Sequence, residues 1–220
     1  QDLRTTLPPE TTDLVCVVGT VMTSCEIESG DFLQPRTPHY VFDPAGGELK
    51  YSARTRAHIS RGRRAHRDVD WNPALDAGRL HGAYQQVVRR YDLAGGHFDF
   101  PVEHFDYFTG QLDAQAACVF GAAGIAAMAC LIRHDDDIHV VHFVVSDEGL
   151  HTDAGPFLAA ALVERASREG LRVFFAGVPE AGRPGLAAFK ERFTNRRQPV
   201  WLVRLVLDHD AYAELSGLAT

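Results

Sequence analysis

The sequence predicts an α/β fold in which helices cover both faces of a mixed, mostly antiparallel sheet. Three observations carry that expectation. Apolar runs at 116–120, 125–133 and 138–145 are separated by two four-residue turns, 121–124 and 134–137, which is the pattern of a hairpin meander. Behind the meander, helical and strand-like segments alternate, as they do where helices carry the chain between strands of one sheet. The 220 residues are 45% hydrophobic and 23% charged, ordinary globular proportions that supply one sizeable core.

The elements follow in order. Residues 14–22 form a Val-rich apolar run, and His39-Tyr-Val-Phe42 is a second β-prone piece. A polar stretch punctuated by Gly and Pro, 28–38, lies between them, and 43–47 reads as a turn. Residues 50–67 are expected to be helical, with Arg56, Ser60, Arg63 and Arg67 along one side. A short strand is expected at 68–71. Leu80, Tyr84, Val87, Val88 and Tyr91 give helical spacing over 75–91, and Phe105, Phe108 and Leu112 do so over 101–112. After a loop at 146–155, Pro156 at the first helical position and Gly170 beyond the end bound a helix. Residues 171–175 read as a buried strand, 184–193 as a helix opened by Pro184, and 199–207 as a last strand. His139 and His142 stand at odd spacing on the third meander strand, so they are expected on opposite faces of the sheet. The expected organisation is a strand-rich N-terminal segment, 1–49, followed by a domain, 50–220, that holds the chemistry.

Charge is unevenly distributed. The net value is −7, yet Lys50, Arg54, Arg56, Arg61, Arg63, Arg64 and Arg67 fall in a stretch without an acid. That stretch is suited to phosphate, while the acidic remainder repels a large polyanion. No apolar run reaches eighteen residues, so no membrane-spanning helix is expected, and the start has no signal-peptide layout. It also lacks an initiator Met, which suggests residues upstream of Gln1. The four cysteines form no CxxC pair, and Cys118 and Cys130 sit in apolar stretches. They read as reduced core thiols, in keeping with a cytoplasmic location. The His134-Asp-Asp-Asp137-Ile-His139 cluster lies on a tight turn, and no metal site is expected there.

Three stretches carry a family resemblance. Gly185-Leu-Ala-Ala-Phe-Lys-Glu-Arg-Phe193 resembles the C-terminal "GL..FK..FG" signature of Fem-type aminoacyltransferases and their acetyltransferase-like relatives in the GNAT superfamily. The basic segment Ser52-Ala-Arg-Thr-Arg-Ala-His-Ile-Ser-Arg-Gly-Arg-Arg-Ala65 resembles the "TR..IR.A" stretch that opens the catalytic domain there. The helix-to-strand step from 156 to 171 is similar to theirs. The resemblance covers about residues 36–207 and implies a GNAT-like fold and amide-forming acyl transfer. Two departures stand out. Thr194-Asn195 replaces the Gly that usually follows the second Phe. The segment from Asp147 to Gly155 has three acids and no arginine or lysine, where acetyl-CoA-dependent members carry a Gly-rich pyrophosphate loop.

Such a reaction needs an amine stripped of a proton, a stabilised oxyanion and two aligned substrates. On that basis Lys190 is expected to place an ammonium beside the developing oxyanion, with Phe189 next to it in the substrate site. Leu186, Phe189 and Phe193 are expected to form the helix's core face. Asp147, Glu148 and His151 are the candidate general bases; the competing expectation for this acidic segment, Asp153 included, is helix capping at a hydrated surface. Arg54, Arg56, Arg61 and Arg63 are the candidate phosphate contacts. Phe98, Phe100, Phe105, Tyr107 and Phe108 read as a core cluster in preference to an acceptor pocket. The expected activity is transfer from an activated acyl donor, aminoacyl-tRNA ahead of acyl-CoA, to the amine of a small molecule. No tightly bound cofactor and no membrane partner are expected. An acyl-CoA N-acetyltransferase with a degenerate pyrophosphate loop is the alternative, and a non-catalytic GNAT-like module binding tRNA or a partner is the third.

Overall fold

The computed structural model describes residues 16–21, 32–96, 98–110, 114–177 and 184–216. Leu14, Val15 and Met22 of the first expected strand, Cys25, and Leu112 of the second expected helix lie outside them. The chain divides into two compact units.

The larger unit holds Tyr40–Ala176 and Arg183–Arg196, so the boundary expected at 49/50 falls inside it. Its sheet contains β3 (Asp70–Trp71), β4 (Ala114–Gly121), β5 (Gly124–His134), β6 (Asp137–Val145), β7 (Arg172–Phe174) and the end of β2 (Phe32–Phe42). The strand order is β2, β7, β6, β5, β4, β3; only β6 and β7 run parallel. The meander is therefore as expected, and the sheet is mixed and mostly antiparallel.

Helices cover both of its faces. α2 (Ala77–Arg90) and α3 (Val102–Thr109) bury Leu80, Tyr84, Val88, Phe105 and Phe108 against Cys118, Met128, Cys130 and Val144. Side chains alternate along a strand, so the neighbours Phe143 and Val145 point the other way, toward α5 (Ala154–Glu169). Gly155 of α5 lies against both. On that face α1 (Ala53–Ala65) packs on α5. Gly62 makes the approach possible, because a Cβ there would stand 2.5 Å from the Asp153 carbonyl oxygen and 2.6 Å from Phe157 Cβ. Ser52 starts α1 by accepting from the Thr55 N–H.

Three expectations are corrected. Residues 146–155 are not a loop: α4 (Asp147–His151) forms there, and α5 begins two residues before Pro156. The stretch 32–38 is strand despite Pro35 and Pro38. His139 and His142 share a face. β5 and β6 slip register so that Cys130 pairs with His142 but Leu131 with Val140, leaving Val141 as a bulge. His139 then pairs with Ile132, which packs into the α2–α3 core, as Cys130 does.

The smaller unit comprises 1–39, 177–182 and 197–220. In it β1 (Cys16–Val21) pairs antiparallel with β8 (Arg196–Val206), from Cys16 opposite Val206 to Val21 opposite Trp201. A terminal helix, α7 (His209–Ser216), follows, and Arg204 donates to the Tyr212 hydroxyl.

Candidate functional site

Parallel pairing between β6 and β7 lasts three rungs, ending where His139 meets Phe174. β6 then runs on to Val145 with no further rung to β7, so the two strands splay. Phe143 and Phe175 face one another beyond the last rung, ring centroids 6.5 Å apart. α6 (Pro184–Arg192) adds Phe189, whose ring lies 5.4 Å from that of Phe143 and 5.2 Å from that of Phe193. Phe193, just past the helix, is fully buried, whereas Leu186 is 38% exposed. Leu186 thus does not belong to a core face; anchoring falls to Phe189 and Phe193.

Lys190 follows Phe189 and turns inward. Its Nζ donates to the Ala176 carbonyl at 3.3 Å, and burial lowers its pKa to about 8. The Ala176 backbone sits in the left-handed region at φ 57°, a conformation that costs a non-glycine residue on the order of 1 kcal/mol. Its carbonyl also accepts the Tyr40 N–H. A strained residue, a desolvated ammonium and an aromatic wall therefore meet at the end of β7. Sequence type pointed to Lys190 and Phe189; nothing in the sequence marks Ala176.

The acidic segment is placed differently. Ser146 caps α4, accepting from the Gly149 N–H and donating to the Ala126 carbonyl. Asp147 accepts from Arg90, which also donates to the Val145 carbonyl at 2.9 Å. Glu148 accepts from the Ala122 and Ala123 amides at 2.7 and 3.1 Å, closing the β4–β5 turn. Those amides, Ala123 first, hold its pKa below the usual carboxylate range. Asp153 has a left-handed backbone and accepts from His58 Nδ1 and Arg61 Nε, each at 2.7 Å. Burial pushes its pKa up, but these partners together outweigh that and lower it. His151 is exposed and lines a recess of about 390 Å³ with Arg61 and Arg64. Among the described residues, none of these four side chains makes a hydrogen bond or ion pair with Lys190.

Of the expected phosphate contacts, Arg61 is engaged by Asp153 and Arg63 by Glu164 at 3.0 Å. Arg56 donates to the Tyr51 carbonyl. Arg54, Arg64 and Arg67 have no carboxylate partner among the described residues.

Two groups escaped the sequence. His66, nearly buried, walls a cleft of about 790 Å³ with Arg67, Asp68, Asp70 and Glu148. Its Nδ1 must donate to the Phe120 carbonyl, at 3.0 Å, because a carbonyl only accepts. Its Nε2 meets the Thr152 hydroxyl at 2.9 Å. The second group is Tyr51, whose ring packs on Phe193 and whose hydroxyl is buried without a partner among the described residues. Burial, then Glu164, raises its pKa to about 12.

Comparison with known proteins agrees with this architecture. The C-terminal domain assigned to a lysylphosphatidylglycerol synthetase from Agrobacterium fabrum superposes with TM-score 0.59 at 17% identity, over 86% of this chain and 65% of that one. L-PGS from Bacillus licheniformis gives 0.56 at 15%, over 80% and 62%. FemX gives 0.58 at 12%, over 93% and 69%. The fold is GNAT-like. The chain thus spans less than two thirds of the length of the first two of these structures. No family model and no curated protein matches its sequence. Among the described residues no helix is long and apolar enough to cross a membrane.

Proposed function

We propose that the protein is an N-acyltransferase that joins an activated acyl group, carried by aminoacyl-tRNA, to the amine of a small-molecule acceptor. The observation that carries this is Lys190, a part-buried ammonium that donates to the Ala176 carbonyl at the end of β7 and whose pKa burial lowers to about 8, in a GNAT-like sheet. When an amine attacks an ester carbonyl, negative charge develops on the carbonyl oxygen. A fixed cation in a site poor in water stabilises that charge far more than solvent does. No covalent intermediate is needed, and Phe143, Phe175 and Phe189 supply an aromatic wall on the side of α6.

Preference for an aminoacyl ester over acyl-CoA is supported at the start of α5. A CoA pyrophosphate is favoured by bare amides at a helix N-terminus. Here that terminus carries the Asp153 carboxylate, fixed by His58 and Arg61. Arg54, Arg64 and Arg67 are the cations available to RNA phosphates.

The test offers two donors separately, ¹⁴C-aminoacyl-tRNA charged from bulk tRNA and acetyl-CoA, with ethanolamine, glycinamide, putrescine and glucosamine as acceptors. Amides are identified by mass spectrometry. Product from charged tRNA is expected, reduced about 100-fold or more in Lys190→Met. Product from acetyl-CoA alone transfers the assignment to the CoA-dependent alternative. No amide above the protein-free blank from either donor overturns acyl transfer.

A further inference from the structure

One side of α1 carries more positive charge than the fold consumes. Arg56 and Arg63 lie along it, Arg67 follows just beyond its end and Arg64 stands beside them, all four exposed. Arg56 donates to a carbonyl and keeps its full charge. Arg63 has Glu164 as its carboxylate partner, with side chains 57% and 53% exposed. A pair that open to solvent contributes little and gives way readily to a phosphate. Arg64 and Arg67 have no carboxylate partner among the described residues.

Arg63 and Arg67 open onto a groove of about 290 Å³ between the end of α1, β3 and α5. Arg168 lines it from α5. Its Nε donates to the Glu164 carbonyl at 3.4 Å, and it too has no carboxylate partner among the described residues. Trp71 of β3 completes the wall. Arg165 packs on its ring, 4.5 Å from the centroid. The indole N–H makes no hydrogen bond among the described residues, yet it is not sealed from solvent. Two acids, Asp68 and Glu164, line the groove against three arginines. Along 67–69 the groove runs into the cleft walled by His66.

Exposed guanidinium groups in a row match the phosphates of a nucleic-acid strand. A half-buried indole beside them offers a nucleotide an aromatic contact and a donor for its sugar or phosphate oxygens. We infer that this groove docks the body of the donor tRNA, with Arg63, Arg67 and Arg168 on the sugar–phosphate backbone and Trp71 against one nucleotide. The inference rests on the proposal that aminoacyl-tRNA is the donor. β3 lies four strand spacings from β7 in the sheet, about 19 Å. The groove therefore takes RNA well short of the 3′ end that reacts at Lys190, and it serves binding and not chemistry. The chain's net charge of −7 repels RNA elsewhere and confines contact to this strip.

Binding of uncharged bulk tRNA tests this without catalysis. Trp71 and Trp201 are the chain's two tryptophans, so the emission of Trp201→Phe reports Trp71 alone, and tRNA should change it saturably. The anisotropy of labelled tRNA gives the affinity independently of that variant. Arg67→Gln and Arg168→Gln should each weaken binding about 10-fold and reduce the slope of log affinity against log salt by about 1. Trp71→Leu should weaken it about 10-fold with the slope unchanged. Arginine variants that bind like the wild type, or Trp71 emission indifferent to saturating tRNA, overturn the groove, while amide formed from charged tRNA keeps the donor. Polyglutamate that displaces tRNA as readily as poly(A) does makes the strip a general polyanion surface and overturns it as well. A wild type that binds no tRNA at about 50 mM salt removes the groove and the tRNA preference together; amide formed from acetyl-CoA then keeps acyl transfer.

Discussion

The segment 147–153 and the β6–β7 splay both drew attention as sources of chemistry, and they hold their charges in opposite ways. In the first, each carboxylate has a structural partner: Asp147 with Arg90, Glu148 with the β4–β5 turn, Asp153 with His58 and Arg61. Hydrogen bonding drives the pKa of Glu148 down, as it does that of Asp153 against its burial. A carboxylate stabilised in that way is a poor base. At the end of β7, by contrast, burial moves Lys190 toward its neutral form, against what solvent favours. The difference teaches where to look. Groups that complete the fold are comfortable, and groups poised for chemistry are held at some cost.

The largest expected effect tests the structural side of this contrast. A Cβ on Gly149 would stand 1.9 Å from the Ala126 carbonyl oxygen, a backbone atom that cannot swing away. Gly149→Ala should cost about 3–5 kcal/mol, read as a fall in the urea midpoint. Stability near wild type would show that α4 is not pressed onto β5.

Next comes the splay. Lys190→Met removes a part-buried ammonium and keeps the stem. Transfer should fall about 100-fold or more while Tm holds or rises by a few degrees, since a desolvated charge is lost. A matching loss of stability would make Lys190 a structural residue like Glu148.

The α2–α3 core gives a pH-dependent effect of intermediate size. His142 has its pKa lowered from 6.5 to about 4 by burial, then by His104. The unfolded chain takes up that proton below pH 6.5, whereas the folded chain resists until about pH 4. Stability present above pH 6.5 is therefore lost as pH falls toward 4, by roughly 3 kcal/mol at most. His142→Leu should flatten that slope in denaturant titrations at pH 7 and pH 4.5.

Legibility from sequence follows the same division. The meander was readable because its turns are explicit, and α2 and α3 because their apolar spacing is regular. α4 was not. Five residues do not make a helix on propensity, and the contact of Ser146 with Ala126, twenty residues away, stabilises it. The bulge at Val141 carries no Gly or Pro to announce it, so strict alternation misplaced His139 relative to His142. β2 was cut short because Pro35 and Pro38 weaken a strand locally, and strand pairing overrides that. Lys190 stood out as one of only two lysines. Its depressed pKa and the strain at Ala176 depend on burial and backbone geometry that no local pattern records.

The smallest expected effect is the one best able to redraw the contrast. Asp153→Asn removes the charge opposite His58 and Arg61 but leaves one acceptor oxygen for the clamp. Two bonds to a carboxylate become one bond to a neutral amide oxygen, a loss of about 1–2 kcal/mol. Asparagine tolerates the left-handed φ of 58° at this position at least as well as aspartate, which offsets part of it. The net change should stay near 1 kcal/mol, and transfer from charged tRNA should be unaltered. The same variant removes negative charge from the start of α5, where a pyrophosphate is otherwise repelled. If Asp153→Asn gains stabilisation by CoA in a thermal shift, Asp153 is what excludes that donor. If it abolishes transfer while the fold holds, the clamp belongs to the chemistry and not to the scaffold.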